Sequence, residues 1–122
     1  MKDIVERFLD YVSFETTSYE PIEGQASSVG QYVLAKHLKE ELEKLDVKNL
    51  YINEFGTVVG YVPGTKEGPT IALIAHMDTS NSASGKDVKA RVLKYEGGDI
   101  ELSTGIKLSP NEFSTLKGKE GH

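Results

Sequence analysis

The sequence predicts an α/β fold, a layered sheet with helices, and three observations carry that prediction. Two stretches near the amino end place apolar residues at helical spacing. Short β-prone runs follow them, and one hexapeptide, Thr70 to Ala75, is apolar without alternation, as expected of a strand covered on both faces. At 122 residues, 38% hydrophobic and 27% charged, the chain suits one compact domain and contains no internal repeat or low-complexity tract.

Asp3 followed by Glu6 has the spacing of a capping box, and Ile4, Val5, Phe8, Leu9 and Val12 recur along one face, so a short amphipathic helix is expected over 3–14. Thr16 to Gln25, with Pro21 and Gly24 and no clear period, reads as a surface loop. Ser28 and Gln31 form a second candidate capping box. Beyond them Leu34, Leu38, Leu42 and Leu45 make one buried stripe. Lys36 with Glu40, Lys39 with Glu43 and Glu40 with Lys44 lie four apart on the opposite, solvated side.

From Asn49 the period shortens. Leu50 to Ile52 and Val58 to Val62 predict two neighbouring strands separated by Gly56, and Pro63-Gly64 with Gly68-Pro69 punctuates a turn before the central strand. After Ser80 the chain is polar and glycine-rich, with weaker strand signals at Arg91 to Tyr95 and Ile100 to Leu102 around the Gly97-Gly98 turn. Residues 1–79 are thus expected to hold helices and core strands, and 80–122 loops and edge strands of the same domain.

Composition excludes several functions. A net charge of -5, from 14 basic and 19 acidic residues spread along the chain, leaves no basic patch for nucleic acid. The absence of cysteine excludes a disulfide framework and thiolate metal sites, so any zinc would be held by histidine and carboxylate. Met1 to Arg7 lacks the apolar core of a signal peptide, and no later run reaches membrane-spanning length, so a cytoplasmic location away from membranes is expected. The glycine pairs fit neither the Walker nor the dinucleotide-binding spacing and read as turns.

One segment carries chemistry. Ala75-His76-Met77-Asp78-Thr79-Ser80 directly follows the apolar strand, and ligands of open α/β sheets collect at the carboxyl ends of strands. Residues two apart in extended backbone share a side, so the Asp78 carboxylate can approach the His76 imidazole. If one ring nitrogen binds a metal, such a carboxylate accepts the proton of the other, fixing the tautomer. His76 is therefore the candidate metal ligand and Asp78 the candidate catalytic partner that supports it. By themselves the two residues fit a hydrogen-bonded surface pair equally well.

The run Ile71-Ala-Leu-Ile-Ala-His-Met-Asp-Thr-Ser80 resembles the strand and His-x-Asp-Thr signature of the dinuclear zinc exopeptidases, which include tripeptide aminopeptidases and N-acyl amino acid deacylases. Arg7 to Thr17, Tyr51 to Thr65, Tyr95 to Ile100 and Leu108 to Pro110 resemble the peptidase T family specifically, so the likeness covers nearly the whole chain. It implies an incomplete layered α/β/α catalytic domain with a mixed, partly parallel sheet, and a hydrolase that releases the first residue of tripeptides. It also implies two zinc ions in the complete enzyme, His76 binding one and Asp78 serving as the motif aspartate.

The same resemblance implies further ligands, a glutamate base and a lid-like second domain, none of which falls within residues 1–122. Catalytic zinc needs about three protein ligands, so the isolated chain is expected to be inactive. His37, beside the leucine stripe, reads as a packed or surface histidine, His122 as a disordered end, and Asp87 and Asp99 as exposed loop residues. Two further readings stay open: a related zinc deacylase, and a non-catalytic module that self-associates through unpaired sheet edges.

Overall fold

The computed structural model describes residues 3–19, 28–102 and 105–122. These fall into two compact units, Met1–Ala90 and Arg91–His122. The first contains helix α1 (Ile4–Tyr11), helix α2 (Val29–Lys44) and strands β1 (Lys48–Ile52) and β2 (Val58–Tyr61); the second contains β3 (Ile100–Glu101), β4 (Lys107–Leu108) and a short 3-10 turn, Ser114–Leu116.

Helix α1 begins at the predicted capping box: Glu6 N–H donates to Asp3 Oδ1 (2.8 Å) and Asp3 N–H to Glu6 Oε2 (2.9 Å). It ends earlier than expected, because the amides of Ser13 and Phe14 bond back only three residues, to Asp10 O (3.0 Å) and Tyr11 O (3.2 Å). None of its residues is buried. The loop predicted over Thr16 to Gln25 lies within the described residues only as far as Tyr19.

The second predicted capping box does not form. Ser28 is the extended N-cap of α2, but its side chain makes no capping bond. Gln31 is buried and donates from Nε2 to Thr16 O (3.3 Å), so its amide reaches across to the loop after α1. Gly30 explains the close approach, since a Cβ there would stand 1.7 Å from Glu15 O. Of the leucine stripe, Leu34 is buried, Leu38 and Leu42 are half-buried and Leu45 is exposed. The Lys39–Glu43 pair forms on the solvated side. Helix α2 closes where Asp46 enters the left-handed region (φ 59°) and Val47 N–H returns to Leu42 O (3.2 Å).

Strands β1 and β2 form an antiparallel hairpin with Tyr51 opposite Val59 and Ile52 opposite Val58, and a bulge lies between Lys48 and Tyr51. Asn53 builds its turn: Oδ1 accepts from Phe55 N–H (3.0 Å) and Thr57 N–H (2.8 Å). Helix α2 packs on both strands, and Tyr32 Oη reaches Glu54 O (2.6 Å).

The central strand is where expectation and structure part. Thr70 to Ala75 is not a strand, and Ile71, Leu73 and Ile74 are 80%, 95% and 94% exposed. An apolar run records what a covered strand requires, but among the described residues no strand lies beside this one, because β1 and β2 pair with each other. Both sheets of the described residues are antiparallel. The parallel contact is a single bridge, Thr17 to Thr79, made by Thr79 N–H to Thr16 O (3.1 Å) and Ser18 N–H to Thr79 O (2.9 Å).

In the second unit β3 and β4 pair antiparallel, Ile100 opposite Leu108. Arg91 to Tyr95, a predicted strand, is not one; Tyr95 is instead the buried anchor, with its hydroxyl on Gly98 O (2.8 Å). His122, expected to be disordered, accepts Tyr95 N–H at its carbonyl (2.8 Å), and Gly121 N–H donates to Tyr95 O (2.8 Å).

Candidate functional site

His76 and Asp78 sit just past the uncovered apolar run, and the structure brings them together as the two-residue spacing predicts. His76 Nδ1 lies 2.9 Å from Asp78 O and 3.1 Å from Asp78 Oδ1. Both partners are acceptors, so Nδ1 must carry the proton. The lone pair is then on Nε2, and the His76 side chain is 85% exposed. That is the tautomer a metal-binding imidazole needs when a carboxylate stands behind it.

The second carboxylate oxygen of Asp78 is held as well. Ser18 Oγ donates to Oδ2 at 2.5 Å, across sixty residues of chain. The Ser18 hydroxyl, and after it the His76 ring, hold the Asp78 carboxyl below the usual carboxylate range. Ser18 reaches this position because the Thr17–Thr79 bridge ties the loop after α1 to the segment carrying Asp78. Gly85 lies against the same tie: a Cβ there would come within 2.7 Å of Thr17 Oγ1 and 3.3 Å of Thr79 Oγ1.

These residues border an open depression of about 220 Å³, lined in part by Ser18, Gln31, Thr57, Ala75 and His76. An exposed imidazole nitrogen backed by a hydrogen-bonded carboxylate fits zinc as one ligand. Among the described residues, no third metal-ligating side chain joins the pair.

The remaining candidates lie elsewhere. Asp87 and Asp99 are exposed, as predicted. His37 is half-buried in α2, between the rings of Tyr11 and Phe14. Ser18 escapes sequence reasoning because its partner is distant in the chain; the one available signal is the hydroxyl-rich Thr16-Thr17-Ser18 triplet.

Comparison with known proteins gives the class first. No protein-family model matches this chain, but its curated relatives are peptidases. Peptidase T of Photobacterium profundum is 45% identical over 126 residues, covering 100% of this chain and 31% of that protein. Peptidase T of Halothermothrix orenii and that of Caldanaerobacter subterraneus are each 42% identical over 126 residues, covering 99% of this chain and 31% of theirs. The chain is a relative of peptidase T. It spans about a third of the length of the curated relatives it matches, consistent with an N-terminal portion of them.

Proposed function

We propose that the chain is the N-terminal part of the catalytic domain of a cytoplasmic, zinc-dependent aminopeptidase that releases the first residue of tripeptides. One observation carries the reading: an imidazole presented with Nε2 outward and Nδ1 tied to a carboxylate, within a sequence related to peptidase T from end to end. His76 would hold one zinc of a pair through Nε2. Asp78 keeps the Nδ1 proton in place and raises the donor strength of the ring, and Ser18 fixes the carboxylate that does so. Bound zinc would supply polarisation of the scissile carbonyl and an acidified water. Since His76 alone falls short of the roughly three ligands that catalytic zinc requires, the 122 residues by themselves should not turn over substrate.

The finer architecture belongs to the same proposal. In the whole protein, Thr70 to Ala75 would be the central strand of a layered α/β/α domain with a mixed, partly parallel sheet. Exposed Ile71, Leu73 and Ile74 are the surface that such layers would bury. That same exposure favours a second reading, a non-catalytic module that self-associates along this segment.

The test is a chimera in which residues 1–122 replace the matching part of a peptidase T relative. It should cleave Ala-Ala-Ala, and His76→Ala should remove the activity while the fold persists. Full activity in the His76→Ala chimera would contradict the metal-ligand assignment. Self-association of the 122-residue chain in sedimentation, relieved by Leu73→Lys, together with an inactive but folded chimera, would favour the second reading.

A further inference from the structure

A second histidine lies between two carboxylates, in a place that the His76 site does not use. Asp10 comes from the last turn of α1, and His37 and Glu41 stand four apart on α2, so the latter two share a helix face. His37 Nε2 is 2.9 Å from Asp10 Oδ2 and 4.0 Å from Glu41 Oε1. One ligating atom from each residue lies within 4.8 Å of the others. The three side chains are 27%, 27% and 15% exposed in the order Asp10, His37, Glu41, so the cluster is partly sheltered but open on one side.

We propose that Asp10, His37 and Glu41 form a binding site for a zinc-like divalent transition-metal ion that clasps α1 to α2, separate from the site at His76. Ligands at about 2.0–2.2 Å from tetrahedral zinc stand roughly 3.3–3.5 Å from one another, between the two separations His37 makes here. The Nε2 atom is shielded from solvent. Close as Asp10 is, the atom makes no hydrogen bond of acceptable geometry among the described residues. The two carboxylates facing Nε2 draw the ring proton to it in the metal-free protein, and a metal ion would displace that proton and sit between the ring and both carboxylates. The imidazole selects zinc and its neighbours over magnesium or calcium, which prefer oxygen alone.

The surroundings hold the cluster in shape. Tyr11 Oη donates to Glu41 Oε2, leaving Oε1 as the oxygen facing His37. The His37 ring is steadied by Tyr11, edge-on with centroids 6.1 Å apart, and by Phe14 at 5.2 Å. Water would complete the coordination from the open side. Arg7 lines the depression shared by Tyr11 and Glu41, and its charge opposes a cation. The site should therefore bind zinc less tightly than an all-anionic one, and reversibly.

The experiment is a zinc titration of the protein carrying His76→Ala, which removes the other candidate ligand, followed by NMR of the imidazole nitrogens. The His37 Nε2 resonance should shift and saturate at one equivalent of zinc and stay in place with magnesium. Glu41→Gln should weaken the effect by roughly tenfold or more. An unmoved His37 resonance in excess zinc would overturn the proposal, leaving an ordinary ion pair between the helices. A shift that persists unchanged when Asp10→Asn and Glu41→Gln are combined would also overturn it. The readout is independent of catalysis and of His76, so its failure leaves the proposed peptidase reading standing.

Discussion

The two histidine–carboxylate groups of the first unit differ in how completely this stretch of chain builds them. His37 is half-buried, flanked by two aromatic rings and carboxylates from two helices. His76 projects into solvent, with a carboxylate behind it and a serine behind that, beyond an apolar segment that nothing among the described residues covers. The first takes all its members from two helices of this unit. The second is oriented in detail yet presents a single outward ring nitrogen, as the proposed peptidase reading expects of one part of a larger site.

The difference can be broken at its shared support. Gly30→Ala should have the largest effect, about 3 kcal/mol or more of lost stability in urea unfolding, because the new methyl meets backbone and not a side chain that can turn aside. It should displace the loop from Glu15 to Ser18 and loosen Asp78 with it. An unchanged midpoint would mean that α2 does not press on this loop.

Next in size is a contrast between apolar residues. Leu34→Ala, at a buried position on α2, should cost about 2–3 kcal/mol. Leu73→Ala, at a side chain 95% exposed, should stay within about 0.5 kcal/mol. Equal losses would show that Thr70 to Ala75 is covered in solution, by another copy or by the rest of a longer chain.

Two titrations sharpen the comparison further. Burial, and after it the bond and charge of Glu41, push the Tyr11 phenol up to about 12. A phenol raised above its unfolded value of about 10 contributes stability that is complete below pH 10 and is lost as pH rises toward 12. An absorbance titration should therefore show a late tyrosine phase near pH 12, and Tyr11→Phe should remove it.

Asp78 works in the opposite sense. Its folded carboxyl is lowered, so its contribution is present above the ordinary value of 3.8 and lost as pH falls below it. In the metal-free protein, Ser18→Ala should move the Asp78 titration back upward, since the Ser18 bond is the leading cause of the shift. With Asp78 half exposed, the accompanying change in stability should be small. An Asp78 titration unaffected by Ser18→Ala would remove Ser18 from the account.

What could be read in the sequence follows the range of the interactions. The Asp3–Glu6 box and the His76–Asp78 pair are local, three and two residues apart, and both formed as read. Ser28 and Gln31 have the same local signature, yet a distant acceptor, Thr16 O, takes the Gln31 amide. Ser18 reaches Asp78 and Asp10 reaches His37 through tertiary packing, which no spacing rule reports. For Thr70 to Ala75 the apolar pattern registers the environment a strand needs, not whether neighbours supply it.

The most direct test of the central claim, that His76 is presented for a metal through Nε2, is the tautomer of its imidazole. It is read by long-range proton–nitrogen NMR of the metal-free protein at a pH where the ring is neutral. The structure predicts the proton on Nδ1, bonded to Asp78, and a shift toward the mixed populations of a free imidazole in Asp78→Ala. A proton found on Nε2 in the unaltered protein would contradict the account, because the outward nitrogen would then have no lone pair to offer.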